Sequence, residues 1–90
     1  MSKLNPDLKP FVESAKQDYI NSCNALPEAI RNQKKAFSRC KYYDMLADIY
    51  EGRMIKEVAA EYGYKYNSVY SSIMETQNRV ENFAKYNGLI

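Results

Sequence analysis

Apolar positions recur at helical spacing along most of the chain. Leu8, Val12, Ala15, Tyr19 and Cys23 fall at i, i+4, i+7, i+11 and i+15, which predicts a first helix over about 7–24. Asp7 reads as its N-cap, and Pro10 is tolerated in the first turn. A second helix is predicted from Pro27 to Ser38 or Cys40, with Ile30, Phe37 and Cys40 inward. A third runs over Lys41–Glu51, with Tyr43, Leu46, Ala47 and Tyr50 on one face. A fourth, short helix covers Ile55–Tyr62 and carries Ile55, Val58, Ala59 and Tyr62 on one face. A fifth covers Asn67–Asn87, with Val69, Ile73, Val80 and Phe83 as its stripe. Thr76 and Gln77 interrupt that stripe, which leaves the second half of the helix free to pack elsewhere.

The breakers agree with these bounds. Pro6, Pro10 and Pro27 sit at helix starts, and Gly52, Gly63 and Gly88 sit just past helix ends. No segment alternates in the period of a strand. The fold class expected is all-α: one domain over residues 1–90, a bundle of about five helices. Its N-terminal helical part is 1–40, and a helix-turn-helix part covers 41–87.

The helix-turn-helix expectation rests on spacing. The short fourth helix, a turn opened by Gly63 and a longer fifth helix form such a unit. Ala59 is the small residue that lets the second helix cross closely. Gly63, four residues later, supplies the backbone turn. Val69, six residues beyond Gly63, and Ile73 pack back onto the first helix of the pair, with Val58 and Tyr62 as flanking contacts.

The stretch from Tyr43 to Val80 resembles the helix-turn-helix of sigma factor region four and the related C-terminal domains of LuxR/FixJ-type response regulators. The matching residues are Tyr50-Glu51-Gly52, then Lys56-Glu57-Val58-Ala59, then Gly63, then Ser68-Val69. Residues 1–40 carry no part of the resemblance. It implies DNA binding by the fifth helix as a recognition helix. One departure matters: Lys65 stands where the family has a Ser or Thr N-cap, so the cap is expected to move to Asn67 or Ser68. With Val69 and Ile73 inward, the base-reading candidates are Lys65, Tyr66, Asn67, Ser68, Tyr70 and Ser71, with Met74 or Glu75 next on the same side. Asn67 has the amide geometry for a bidentate contact to adenine.

Charge distribution sharpens this reading. The net charge of +2 decides nothing by itself. Residues 31–43, however, hold Arg31, Lys34, Lys35, Arg39 and Lys41 and no acid, while 44–62 is net acidic. Those five cations, together with Arg53, Lys56 and Arg79, are the phosphate-contact candidates. Tyr42, Tyr43, Tyr50 and Tyr62 read as core or boundary residues with surface hydroxyls. Tyr64, Tyr66 and Tyr70 lie in or beside the proposed reading head, where base contact and packing are equally expected.

Composition excludes other chemistry. With no His, His-based acid–base catalysis and His metal ligation are impossible. Cys23 and Cys40 form no Cys-x-x-Cys pair and read as reduced thiols on buried helix faces. The polar first ten residues lack a signal-peptide core, and no apolar run is long enough to cross a bilayer, so a soluble cytoplasmic protein is expected. No nucleophile–base pair, phosphate loop or carboxylate dyad stands out; no enzymatic activity, metal or cofactor is expected. The function expected is a small sequence-specific DNA-binding transcriptional regulator of bacterial, phage or mobile-element type. Double-stranded DNA is the expected partner, with a homodimer formed through the first helix or the tail after Val80. The alternatives are a protein-interaction module of the same fold, for instance one that binds RNA polymerase or acts as a phage inhibitor, and a DNA-packaging or partition adaptor.

Overall fold

Three helices meet along one apolar seam because each buries a stripe too wide for a single neighbour. The computed structural model describes residues 4–33 and 36–90. A 3-10 turn over Pro6–Leu8 leads into α1 (Lys9–Asn24), followed by α2 (Glu28–Gln33), α3 (Cys40–Tyr50), α4 (Ile55–Tyr62) and α5 (Tyr66–Tyr86). The described residues form helices and turns with no strand, and none of their helices is long and apolar enough to cross a membrane. α1, α3 and α5 pack on one another, and α4 packs on α3 and α5. The molecule is 21 Å thick, which corresponds to two layers of helices about 10 Å across.

The centre of the seam is α3. Tyr43, Met45, Leu46, Ile49 and Tyr50 are all buried, an arc broader than one stripe because α1, α4 and α5 surround the helix. Met45 and Ile49 therefore join the expected face, while Ala47 is only half-buried. Leu8, Val12 and Ala15 come in from the N-terminal side, and Val58, Ala59, Val69, Ile73 and Val80 from α4 and α5. Each of the large fully buried side chains adds about 1.5–3 kcal/mol over its exposed state.

The interrupted stripe of α5 is continuous after all. Thr76 and Gln77 are buried in line with Val69, Ile73, Val80 and Ala84, so both halves of the helix serve one core; Phe83 is half-buried against it. Thr76 satisfies its hydroxyl within the helix, donating to the Ser72 carbonyl at 2.7 Å. Gln77 Oε1 accepts from the Tyr50 hydroxyl at 2.6 Å and from the Asn5 backbone N–H at 2.7 Å. This oxygen joins α5, α3 and the chain leading into α1. The Tyr50 hydroxyl is thus buried, contrary to the expectation that it would reach the surface.

Other boundaries also shift. Asn5, not Asp7, caps the N-terminal end: its Oδ1 accepts from the Asp7 N–H at 3.2 Å, and α1 starts at Lys9. α2 ends at Gln33, well short of Ser38 or Cys40. Phe37 then takes a left-handed backbone with φ of +69° inside a turn, and it is exposed instead of inward. Cys23 is buried and Cys40 is half-buried, and the two are not joined.

Burial, and secondarily the Glu81 carboxylate, push the Tyr50 phenol above its ordinary value of 10. The folded chain holds this proton where the unfolded chain releases it. Stability from this group is therefore full below pH 10 and is lost as pH rises beyond it. Urea titrations should show stability falling above that pH in the wild type and falling less in Tyr50→Phe. At neutral pH, Tyr50→Phe should cost about 1 kcal/mol, and Gln77→Ala about 2–3 kcal/mol, because the latter strands one buried and one part-buried donor.

Candidate nucleic-acid interface

The corner between α4 and α5 is set by hydrogen bonds at the end of α4. The Gly63 N–H donates to the Ala60 carbonyl at 3.1 Å, and the Tyr64 N–H donates to the Ala59 carbonyl at 2.9 Å. These are the paired bonds of a Schellman ending, which requires a left-handed residue. Gly63 supplies it, with φ of +76°. Lys65 is then extended, and α5 begins at Tyr66 with no side chain capping it. The cap expected at Asn67 or Ser68 is therefore absent; both residues are already helical. At the start of α4, the Glu57 carboxylate accepts from the Met54 N–H at 3.1 Å.

Val58, Ala59, Val69 and Ile73 are all buried where α4 meets α5. Lys65, Tyr66, Asn67, Ser68 and Ser71 are exposed at the start of α5. Tyr70 is half-buried, its ring 6.0 Å from that of Tyr66. Farther along the helix, Met74 is half-buried and Glu75 is exposed.

The phosphate-contact candidates divide sharply by their partners. Arg53 is held by Glu61 at 2.6 Å and lies 3.7 Å from Asp48. Arg39 pairs with Glu75 at 3.1 Å, and Arg79 approaches the same carboxylate at 3.5 Å. Arg39, and less so Arg79, hold the Glu75 carboxyl below its ordinary range. Lys9, Lys16 and Lys85 are paired as well, with Glu51, Asp44 and Glu81. Lys41, Lys56 and Lys65 have no carboxylate partner among the described residues, and they stand at the starts of α3, α4 and α5. Arg31 is half-buried in the last turn of α2, and its Nε finds no hydrogen-bond partner among the described residues. Lys34 and Lys35 lie outside the described residues. Among the described cations of 31–41, Arg39 is tied to α5 and Lys41 is turned toward the α4–α5 corner.

Lys41 lies 5.0 Å from the Tyr64 ring centre and 5.3 Å from that of Tyr42, and its Nζ donates to the Tyr64 hydroxyl at 3.1 Å. That bond raises the ammonium above its ordinary value and keeps it charged. Tyr62 and Tyr64 flank Gly63 and stack, ring centres 6.5 Å apart and 16° from parallel. Both are exposed, so Tyr62 belongs to the surface of the corner more than to the core. The signal was their position either side of the left-handed glycine, which turns both rings outward. The spacing of single helices gave no sign of a second feature, a mainly apolar recess of about 660 Å³ lined by Leu4, Ile49, Met54, Ile55 and Tyr66, with Gly52, Arg53 and Lys56 also on its wall. Leu4 closes it from the far end of the chain. No group of three or more acidic or thiol side chains able to hold a metal occurs among the described residues.

A Cβ at Gly63 would meet no neighbour, so the cost of replacing it lies in its backbone conformation. Gly63→Ala should lose about 1–2 kcal/mol, and about 4–8 °C in Tm for each kcal/mol, measured by thermal melting. Compared with protein-family models, curated proteins and solved structures, the chain gives no significant match, and its site is therefore read from its own geometry.

Proposed function

We propose that the protein is a small sequence-specific regulator that binds double-stranded DNA, with α4 and α5 acting as a helix-turn-helix. The observation that carries this reading is the distribution of unpaired cations. Lys41, Lys56 and Lys65 lack carboxylate partners and surround the exposed start of α5, whereas Arg39, Arg53 and Arg79 nearby are engaged with acids. Three ammonium groups without an acidic partner, that of Lys41 bonded to the Tyr64 hydroxyl, lie as a rim around an uncapped helix start and suit phosphates on either side of a groove. Within that rim, Asn67, Ser68, Tyr66 and Ser71 are exposed and short enough or planar enough to reach base edges. A bacterial, phage or mobile-element origin is part of the proposal.

A second reading has one specific observation in its favour. The apolar recess beside Tyr66 suits an apolar side chain of a protein partner, such as a polymerase subunit. The same experiment separates the two.

Anisotropy of a labelled random duplex should show binding that weakens steeply with salt, with a log–log slope of about 2.7 for three phosphate contacts. Lys56→Ala and Lys65→Ala should each lower that slope by about 0.9 and weaken all sequences alike. Asn67→Ala should cost about 1–3 kcal/mol on a selected site and relax the preference there. No binding at the lowest salt would exclude the DNA reading and favour the protein-partner one.

A further inference from the structure

α1 and α5 leave a groove of about 570 Å³ between them. Ala15, Asp18, Tyr19 and Ser22 line it from α1, at i, i+3, i+4 and i+7. Arg79, Asn82, Phe83 and Tyr86 line it from α5 at the same spacing. Two parallel stripes of this kind, with the buried Tyr43 as floor, form the valley into which the ridge of another helix packs. Tyr86 stands out of this face at 92% exposure. Leu89 and Ile90 just beyond it are exposed too.

We infer that a second copy of this chain occupies the groove, the two copies packing their α1/α5 faces together about a two-fold axis. A two-fold contact requires one surface to carry both the projection and the recess that receives it. Here Tyr86 is the projection and the groove beside it is the recess. The charges are self-complementary in the same sense. Asp18 on the α1 rim has no ion pair among the described residues. Arg79 on the α5 rim only shares, at 3.5 Å, a carboxylate that Arg39 already holds at 3.1 Å. Laying α1 of one copy over α5 of the other sets each Asp18 beside the opposite Arg79. Lys41, Lys56, Lys65 and the residues at the start of α5 are not among those lining the groove, so the pairing does not rest on what that surface binds.

Sedimentation over micromolar to millimolar concentration tests this pairing. The wild type is expected to approach twice the 10.5 kDa of the chain. Asp18→Arg and Arg79→Asp, both at exposed positions, should each weaken association about tenfold or more, by opposing like charges across the two-fold. Combining the two should restore it. Tyr86→Lys should leave a monomer, with unchanged helicity by circular dichroism. A wild type that stays at the monomer mass throughout, or assembles beyond a dimer, overturns the proposal. So does a double variant no tighter than either single one.

Discussion

Gln77 occupies the position where α5 crosses α3, and a carboxamide there is expensive to bury unless its polar atoms are matched. The match comes from two directions. Tyr50 donates from the end of α3, and the Asn5 main chain donates from the segment ahead of α1. One oxygen therefore fixes the register of three parts of the chain, which apolar contacts alone leave free to slide. Leu8, Val12 and Ala15 reach the seam because Asn5 is held there. Asn5 also caps the 3-10 turn that aims α1. The polar break in the middle of the α5 stripe is thus what allows one helix to run the full length of the core.

That continuity divides α5 between tasks. Its interior face, from Val69 through Ile73, Thr76, Gln77 and Val80 to Ala84, belongs to the core throughout. Its outer surface changes character along its length. The start is uncapped, ringed by unpaired lysines and carries small polar side chains. The middle carries the Arg39–Glu75–Arg79 cluster, in which two arginines share one carboxylate. The end carries Phe83 and Tyr86 beside the α1 groove. Because a 21-residue helix is rigid over about 30 Å, whatever binds at one end is positioned relative to the other.

Much of the architecture was legible in the sequence because glycine and proline mark it. Gly52, Gly63 and Gly88 all take positive φ just beyond helix ends, and the bounds of α4 matched the spacing of Ile55, Val58, Ala59 and Tyr62. The break between α2 and α3 was not legible, since the left-handed residue in the turn before α3 is Phe37, a side chain with no local preference for that backbone. The breadth of the α3 face was hidden as well: Met45 and Ile49 are buried by neighbours from both sides, which the period of a single helix does not reveal. At the candidate site, composition identified the cations, but their pairing depends on contacts between distant parts of the chain. Arg39 meets Glu75 and Arg53 meets Glu61 only in the folded molecule. That is why neighbouring cations of one stretch part in the fold, Arg39 to an acid on α5 and Lys41 to the Tyr64 hydroxyl. The start of α5 was not legible either, because the extended Lys65 precedes the helix and no side chain caps it.

The central claim is that the start of α5 and the three unpaired lysines around it form a surface for duplex DNA. Amide chemical shifts recorded while a short duplex is added at low salt address it most directly. The claim requires the perturbed amides to cluster at Lys41, Lys56 and residues 65–71, with those of 15–22 and 79–87 unchanged. Perturbations centred on the α1/α5 groove, or none at any residue, would contradict it.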